Sequence, residues 1–535
     1  MALLENISKR SNLWFLNFAQ IGAVVNDNIY KLVMVFILIE LFGPPSASKV
    51  LSAAGAVYVI PFLLFSSAAG ILADRHSKKW IIVVLKIAEV VIFAASLLAV
   101  SFTQSILGPF TLYLLLFFLA THSAIFGPSK YSIIPELVSL ENVPKANGLI
   151  TSCTYLAIIV GTFLASFLSE VFNRHYIDVM LICLCFALFG LLSALCIRST
   201  PKQGSTRKIN VFFLKEIYIT LRGCRSQPHL LVVLASSAFF LFVGSYTQLN
   251  IIPYTLQGLH MSEIYGGYLF LCTAFGIAIG SFYIGKTLKK PVNLWIPFAS
   301  CVGLAFFFLI LSIFSGFISI VILFLVFLGF AGGMFVVPLD TFVQLACSNE
   351  TRGQVIAAGN FLGFCGVLIS SFLLYFLSNT LGLSAMAGFA VMAFLTFVWA
   401  IFLFLRFSDF TLPVAVKTFL NPSLNLELAD ISLLDAHSLT PLVLLDGSFR
   451  KCGLISAIAP HYHFLFLEKK NLFLPFLYSF HRFSNEEKAL SLAKAKPVCF
   501  VVYGKTIPPF LPKKCMKVEV VPPENQKGPT IIRIY

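Results

Sequence analysis

The sequence GILADRHSKK (residues 70–79) contains the end of one long apolar segment, residues 50–73, and the short charged stretch that precedes a second, residues 80–103. The hydrocarbon core of a bilayer is about 30 Å thick and takes about 20 helical residues to cross, so each flanking segment is long enough to span it. Four of the six residues between the two segments are charged, and three of those four are basic. Because Lys and Arg concentrate in cytoplasmic loops, the stretch predicts a short cytoplasmic loop between two transmembrane helices.

Individual residues of this loop have predicted roles in helix packing. Gly70 allows two helices to approach closely, because it carries no side chain. Asp74 can interact with the positive end of a neighbouring helix dipole. Arg75, Lys78 and Lys79 would hold the loop at the inner membrane surface. An ordinary positive-inside loop without such contacts is the alternative.

The composition extends this membrane prediction to most of the chain. Of 535 residues, 58% are hydrophobic and 11% are charged, and the mean hydropathy is +0.91. A soluble globular protein carries about 25% charged residues. The apolar content excludes a disordered chain, and no basic run interleaved with aromatic residues indicates nucleic-acid binding. The chain is therefore an integral membrane protein, and its excess of Lys and Arg suits contact with anionic membrane lipids.

Twelve apolar segments are long enough to span the bilayer. They lie at residues 13–42, 50–73, 80–103, 108–130, 147–172, 177–198, 229–256, 263–287, 291–314, 316–346, 354–379 and 384–406. With both termini in the cytoplasm, nineteen Lys and Arg residues fall on inner loops and flanks, and only two, Lys49 and Arg174, fall on outer loops. This asymmetry supports an even number of spans with that orientation.

The longest inner loop follows the sixth span and divides the membrane part into two six-helix halves. The predicted domains are the first half (1–198), a cytoplasmic linker (199–228), the second half (229–410) and a cytoplasmic tail (411–535). This all-α, six-plus-six arrangement resembles the major facilitator transporters, which implies a substrate site between the halves. The loop at residues 70–79 is similar to the superfamily signature G-x-L-x-D-R-x-G-[RK]-[RK], with Ser77 in place of the second glycine.

Polar residues of the first span are the leading candidates for a transport path. On a helical wheel Asn17, Gln20, Asp27, Asn28 and Lys31 fall within roughly 100° of one another. Asp27 lies near the middle of the span, where an unpaired acid is expensive. Lys31, four residues further on, is an available partner. We interpret this stripe as a wall of the path, and a structural ion pair that joins two helices is the alternative.

Other polar residues inside the spans fall into two groups. Lys86 and Glu89 stand three residues apart in the third span and are predicted to form a structural or gating pair. Arg352, at the inner flank of the eleventh span, is also predicted to have a structural or gating role. Asp340 in the tenth span and Gln248 in the seventh lie near prolines, in helices that we expect to be bent and polar, and both are assigned to the substrate path.

Five blocks spread over both halves resemble the bacterial lysophospholipid transporter family. They are GAVVNDNIYKLVMV (22–35), AIFGPSKYSIIPELV (124–138), KANGLITSCTYLAIIVGTFLA (145–165), YTQLNIIPY (246–254) and GGMFVVPLDTFVQ with TRGQVIAAGNFLGFCG (332–366). The resemblance implies a multi-pass protein of the bacterial inner membrane. Members of this family move lysophospholipids, chiefly lysophosphatidylethanolamine and lysophosphatidylglycerol, inward for re-acylation.

The same resemblance implies roles for particular residues and partners. Asp27, Asn28 and Lys31 would line the headgroup route, and Lys130 would meet the lipid phosphate or gate the inner end. Relatives often have Asn at the position of Asp340. A separate acyltransferase or acyl-ACP synthetase is the implied protein partner, and no catalytic residue, metal or cofactor is expected. A proton-coupled carrier for another amphiphilic or small solute, driven through Asp27 or Asp340, is the alternative.

Residues 411–535 are predicted to form a small cytoplasmic α/β domain. Strands are predicted at 441–446, 462–467, 498–503, 516–521 and 530–535, and helices near 450–458, 471–480 and 485–495. The stretch at 461–480 resembles the segment that follows the catalytic H-x4-D motif of glycerolipid acyltransferases. Gly447 and Cys452 stand where that motif has His and Asp, so the general base and its partner are missing. We therefore interpret the tail as non-catalytic, and a membrane-bound acyltransferase is the least favoured hypothesis.

Overall fold

The computed structural model describes residues 2–102, 107–207, 209–210, 212–288, 292–314, 316–407 and 410–411, together with seven strands between residues 426 and 534. The chain divides into two compact units, Met1–Phe397 and Val398–Tyr535. The first unit contains the candidate site.

Thirteen α-helices account for most of the described residues up to position 411. They are α1 (Ala2–Phe42), α2 (Ala47–Arg75), α3 (Lys78–Ser101), α4 (Gly108–Leu137), α5 (Val143–Val171), α6 (Tyr176–Leu195), α7 (Phe213–Gly223), α8 (Leu230–Gly258), α9 (Glu263–Thr287), α10 (Trp295–Ile313), α11 (Ile318–Ala346), α12 (Arg352–Tyr375) and α13 (Ala385–Arg406). Twelve of these helices, all except α7, are long and apolar enough to cross a membrane. The predicted number of spans is therefore confirmed.

Short helical turns and prolines shape the ends and the course of these helices. The 3-10 turns are Pro44–Ser46, Leu140–Asn142 and Cys224–Ser226, and a π-helical turn, Phe376–Thr380, continues α12. Pro61, Pro128, Pro253 and Pro338 lie inside α2, α4, α8 and α11. Each of these prolines removes one backbone donor from its helix, so the polar groups beside it sit at points where the helix is weakened or bent.

Each six-helix half has its own apolar core. In the first half Tyr30 and Phe93 pack edge to face, with ring centroids 6.1 Å apart. In the second half Phe389 packs against Tyr254 and Phe308. Large side chains on the outer faces are more than half exposed, including Phe163, Phe306 and Phe372. An apolar exterior over an apolar core is what helices need when acyl chains are their solvent.

The two halves approach each other most closely at positions that lack side chains. A Cβ atom added to Gly148 of α5 would lie 2.6 Å from the Cα atom of Gly285 in α9. A Cβ atom on Gly70 of α2 would lie 2.7 Å from the Cα atom of Gln354 in α12. Both contacts lie at the helix ends that the positive-inside rule assigns to the cytoplasm, and Gly70 therefore has the packing role predicted for it.

The linker between the halves contains the short helix α7 and contacts both halves. Arg207 donates hydrogen bonds to the Oε1 atom of Gln354, at 2.8 Å, and to the Oγ1 atom of Thr220, at 3.2 Å. Gln203 donates to the Oε1 atom of Glu136 on α4, at 3.1 Å. The linker is therefore anchored to the first half through α4 and to the second half through α12.

Between residues 426 and 534, the described part of the second unit is a sheet of seven short strands. They are β1 (Leu426–Leu428), β2 (Leu442–Leu445), β3 (His463–Phe466), β4 (His481–Arg482), β5 (Val498–Val502), β6 (Met516–Val521) and β7 (Thr530–Ile534). The strand order is β1-β7-β6-β2-β5-β3-β4, and all pairs are parallel except β6 with β7. Five strands lie where strands are predicted. The predicted helices, and the positions Gly447 and Cys452, lie outside the described residues, so the α/β interpretation stays a prediction.

Candidate functional site

A cavity of about 230 Å³ lies between the two six-helix halves. Its wall combines α4 and α5 of the first half with α8, α11 and α12 of the second half. The polar side chains on the wall are Tyr131, Thr151, Thr154, Tyr155, Ser237, Asp340, Gln344 and Asn360. The remaining wall is apolar, with residues such as Phe240 and Leu241. Because ligand pockets usually measure about 300–1,000 Å³, this volume suits a polar headgroup or small solute rather than a whole amphiphile.

Asp340 is the one acidic residue on the described cavity wall. It follows Pro338 in α11 and is partly exposed to the cavity. Among the described residues its carboxylate has no hydrogen bond and no ion pair, and its charge interacts with that of Lys130 on the opposite half. An unpaired carboxylate inside a membrane protein is costly, so Asp340 is a candidate for binding a ligand or a proton.

Lys130 lies behind the cavity wall in the first half. Its side chain is 7% exposed, and its ammonium stands 4.5 Å from the ring centroid of Tyr131, which lines the cavity. The ammonium donates to the Oε1 atom of Gln20 at 3.1 Å, and Thr154 donates to the same oxygen at 3.0 Å. Within the described residues Lys130 forms no ion pair, so its partners are a neutral amide and an aromatic face. A buried ammonium held in this way remains available to an anion.

Asp27 lies apart from the described cavity, in a buried position on α1. Its Oδ2 atom accepts a 2.6 Å hydrogen bond from Ser123 on α4, while its Oδ1 atom is buried and has no hydrogen-bond partner. The expected pairing of Asp27 with Lys31 does not form, because Lys31 instead points over the ring of Tyr58 on α2, 5.5 Å from its centroid. The spacing was right for a pair, but contacts with Ser123 and Tyr58 on other helices direct the two side chains elsewhere.

Two further residues assigned to the substrate path also lie away from the cavity. The Asn28 amide donates to the Val24 backbone oxygen of its own helix at 2.8 Å. Gln248 is exposed on α8 and is not on the cavity wall. The nearby Asn250 is buried and donates to the Ala385 backbone oxygen at 2.9 Å, which ties α8 to α13. Their proposed roles in transport therefore gain no support from this cavity.

A buried polar cluster centred on Glu89 lies inside the first half. The Lys86 ammonium contacts the Oε2 atom of Glu89 at 2.6 Å, as predicted, and both side chains have no exposed surface. Asn26 donates to the Oε1 atom of Glu89 at 3.2 Å. His122 of α4 places Nε2 at 3.6 Å from the same carboxylate, although neither ring nitrogen has a hydrogen-bond partner. Sequence reasoning missed His122, because an isolated His in an apolar span carries no distinguishing pattern.

Residues 70–79, predicted as a loop, are mostly helical: they form the last turns of α2, the connection His76–Ser77 and the start of α3, and they contact the second half. The backbone N–H groups of Gly353 and Gln354, in the first turn of α12, donate to the two oxygens of Asp74 at 2.7 and 2.9 Å. The predicted contact of Asp74 with a helix N-terminus is therefore confirmed. Arg75 is exposed, as expected for a surface loop.

Lys78 holds this stretch through a contact inside the protein rather than as an exposed lysine. Its side chain is fully buried and contacts the Oε1 atom of Glu136 on α4 at 2.6 Å, which is a structural role. The carboxylate of Glu136 also accepts a hydrogen bond from Gln203 of the linker. Lys78 therefore connects α3 to α4 and, through Glu136, to the linker.

Arg352 has a structural role at the junction of α11 and α12. Its guanidinium donates to the backbone oxygens of Gln344, at 2.9 Å, and Cys347, at 3.2 Å, which belong to the last turn of α11 and the residue after it. Burial raises the pKa of the Cys347 thiol to about 12, so the thiol stays neutral beside the arginine. Arg352 thus satisfies carbonyl groups that the end of a helix leaves without partners.

A reciprocal amide pair joins the halves next to the cavity. Asn147 of α5 donates to the Oε1 atom of Gln344 at 3.1 Å, and Gln344 of α11 donates to the Oδ1 atom of Asn147 at 2.9 Å. Asn147 also donates to Thr341 at 3.0 Å. Sequence reasoning did not single out Asn147, since its partners stand nearly two hundred positions away. No cluster of metal-ligating side chains occurs among the residues for which the structure gives positions.

Comparison with known proteins gives similarity to transporters. The family model described as the Major Facilitator Superfamily matches residues 16–371. The lysophospholipid transporter LplT of Cronobacter sakazakii is 25% identical over 354 residues, which cover 64% of this chain and 81% of that protein. LplT of Salmonella arizonae is 25% identical over 390 residues, which cover 70% and 91%. Macrolide efflux protein A of Streptococcus pyogenes is 25% identical over 242 residues, which cover 44% and 58%.

Solved structures show a similar fold at lower sequence identity. The human organic anion transporter MFSD10 aligns with a TM-score of 0.60 and 15% identity, over 74% of this chain and 99% of that chain. A bacterial homologue of the iron transporter ferroportin aligns with a TM-score of 0.59 and 14% identity, over 75% and 99%.

Proposed function

Because the chain belongs to the Major Facilitator Superfamily, we propose that it is a lysophospholipid transporter that moves lipids such as lysophosphatidylethanolamine inward across a bacterial inner membrane for re-acylation. The observation that carries the proposal is the pair of unneutralised charges at the interface of the halves, Lys130 in the first half and Asp340 in the second. Curated relatives named as lysophospholipid transporters match most of the membrane part.

The chemistry of the cavity supports a lipid headgroup as substrate. A phosphate needs a cation, and Lys130 provides one beside the wall. A headgroup amine or hydroxyl needs an acid or an amide, and Asp340 and Asn360 line the wall. The single acyl chain of a lysophospholipid needs apolar contacts, which the Phe-rich helices supply.

Transport would follow from rocking of the two halves about the cavity. The contacts at one end, Asp74 with Gly353 and Asn147 with Gln344, join the halves directly. These contacts must break for the cavity to become accessible from that end. With the predicted orientation, their rupture would release the headgroup to the cytoplasmic side, where a separate acyltransferase or acyl-ACP synthetase would act on it.

Uptake of labelled lysophosphatidylethanolamine by spheroplasts that produce the chain tests the proposal. We expect uptake well above that of spheroplasts lacking the chain, and we expect Lys130→Ala to reduce it about tenfold, because the phosphate loses its cation. Lys49→Ala is the matched control and should transport normally, because Lys49 is exposed and distant in sequence from the residues that line the cavity. Failure of the wild-type chain to raise uptake would overturn the proposal.

We further propose that the tail has no acyltransferase activity. Its sequence lacks His and Asp at the positions where the acyltransferase motif would require them, Gly447 and Cys452. Purified full-length protein should therefore transfer no acyl group to a lysophospholipid from an acyl donor. Measurable transfer by the wild type would assign an enzymatic function to the chain instead.

Export or uptake of another amphiphilic solute is the second candidate function. A macrolide efflux protein is among the relatives, and Asp27 and Asp340 offer carboxylates that could carry protons. This function predicts that cells producing the chain accumulate less labelled macrolide and that dissipating the proton gradient abolishes the difference. Unchanged accumulation, with lysophospholipid uptake intact, would exclude it.

A further inference from the structure

We propose that the cavity selects zwitterionic headgroups, with the Asp340 carboxylate binding the headgroup ammonium while Lys130 attracts the phosphate. This inference rests on the proposed transport of lysophospholipids and adds a headgroup preference to it. It predicts that the protein favours lysophosphatidylethanolamine over lysophosphatidylglycerol.

Asp340 provides the negative charge on the described cavity wall. Its carboxylate faces the cavity, and within the described part of the chain no donor or cation pairs with it. The other cavity-lining residues are neutral: hydroxyls, amides and apolar side chains. A carboxylate that is partly buried and has no partner in the protein gains most from a cationic group of the ligand, so such a group would be bound most firmly there.

The positive charge comes from the other half of the protein. Lys130 belongs to α4 and Asp340 to α11, so the two charges come from different halves. Among the described residues neither charge forms an ion pair, and the Lys130 ammonium lies 4.5 Å from the ring centroid of Tyr131, which lines the cavity with Asp340. A phosphoethanolamine group carries its phosphate and its ammonium at the two ends of a two-carbon spacer. With its ammonium at Asp340, such a group can extend its phosphate toward Tyr131, which lines the cavity beside Lys130.

The same cavity would discriminate against an anionic headgroup. A phosphoglycerol group offers the same phosphate to Lys130 but presents only hydroxyls to Asp340. The carboxylate then gains no cation, and the phosphate adds a negative charge that no ammonium of the ligand offsets. A ligand that leaves a buried polar group of the site unpaired is rejected far more strongly than a ligand that only makes one contact fewer.

The cavity size supports recognition of a headgroup alone. A volume of about 230 Å³ accommodates the phosphate and its substituent but not the acyl chain as well. Phe240, Leu234 and Val336 form apolar wall next to the polar groups. The cavity can therefore distinguish lipids by the charge of the headgroup and not by the length of the acyl chain.

Uptake of the two lysophospholipids, measured in parallel with Asp340→Asn, tests the selectivity. We expect Asp340→Asn to reduce lysophosphatidylethanolamine uptake about tenfold while lysophosphatidylglycerol uptake stays level or rises, because only the amine loses its partner. Asp340→Glu keeps the charge and should keep the preference. Lys130→Gln should reduce uptake of both lipids. Asp178→Asn, at an exposed carboxylate that contacts His175, is the matched control and should change neither.

The outcomes separate this inference from the proposed function. Transport of both lipids by the wild type with an equal loss of both in Asp340→Asn would overturn the selectivity and leave transport intact. Transport of neither lipid by the wild type would overturn the proposed function and the selectivity with it. Because uptake of the two lipids is compared as a ratio within each variant, a lower amount of Asp340→Asn protein in the membrane would not change that ratio. A restored preference in Asp340→Glu supports the inference.

Discussion

Asp74 at the end of α2 and Gly353 at the start of α12 are joined by a 2.7 Å hydrogen bond from the Gly353 backbone N–H to the Asp74 Oδ1 atom. The second carboxylate oxygen accepts the N–H of Gln354 at 2.9 Å. The first N–H groups of a helix lack partners within it and carry partial positive charge, so a carboxylate is the most favourable group to place there. One acidic side chain thus connects the two halves of the transporter.

The first prediction concerns the strength of this connection. Asp74→Asn keeps the size of the side chain but removes its charge and replaces one acceptor by an amide donor. One buried N–H of α12 then lacks an acceptor, and we expect the free energy of unfolding to fall by about 1–3 kcal/mol. Thermal unfolding of the detergent-solubilised protein measures the loss. Arg75→Gln, at the adjacent exposed residue, should leave stability unchanged, and an equal effect of both variants would contradict the assignment.

Sequence reasoning identified Asp74 because its signal is local. The helices on both sides, the loop between them and the acid at a fixed position all lie within one short stretch. Amphipathic patterns and span lengths are local as well, which is why the twelve spans agree with the structure. Even the pair of Lys86 and Glu89 follows from neighbouring positions on one helix.

The contacts that sequence reasoning missed depend on residues far apart in the chain. Lys78 was expected at the membrane surface, but Glu136 draws it into the protein from another helix. Asp27 and Lys31 have the spacing of an ion pair, yet Ser123 and Tyr58 on other helices determine where they point. Packing between helices decides among several partners that spacing allows, and a single sequence does not specify that packing.

The second prediction concerns the close approach of α5 and α9. Gly148→Ala would place a methyl group 2.6 Å from the Gly285 Cα atom, so the two halves must shift apart. We expect a destabilisation of about 1–3 kcal/mol, as for other overpacked contacts, together with slower lysophospholipid uptake. Unfolding temperature and initial uptake rate measure the two effects.

Gly244→Ala is the matched control for this variant, because no atom beyond the neighbouring residues and backbone of its own helix lies within 4 Å of the added methyl group. Gly244 is inside α8, where Ala is the better helix former by about 1 kcal/mol. The control should therefore raise stability slightly. A neutral or stabilising effect of Gly148→Ala would show that the halves do not need this close contact.

The third prediction concerns the buried cluster around Glu89. Glu89→Gln leaves the Lys86 ammonium in a fully buried position without its carboxylate, and removing one partner of a buried pair typically costs about 3–5 kcal/mol. The double variant Lys86→Met with Glu89→Gln removes both charges and should be less destabilised than Glu89→Gln alone. Unfolding of the single and double variants in detergent provides the comparison.

An exposed ion pair serves as the reference for that experiment. Arg174 contacts Glu40 at 2.5 Å, but its side chain is 70% exposed. Arg174→Gln should therefore change the free energy of unfolding by less than about 1 kcal/mol. If Glu89→Gln proves as mild as Arg174→Gln, the cluster does not hold the first half together in the way that its burial indicates.

The fourth prediction concerns the reciprocal amide pair of Asn147 and Gln344. Asn147→Ala and Gln344→Ala each leave a buried amide without its partner, so each should lower the free energy of unfolding by about 1–3 kcal/mol. Since each loss already includes the shared bonds, the double variant should lose less than the sum of the two singles. Asn142→Ala, at an exposed asparagine just before α5, is the control and should change stability by less than about 0.5 kcal/mol. Additive losses in the double variant would mean that the two amides act independently and that other contacts join the halves beside the cavity.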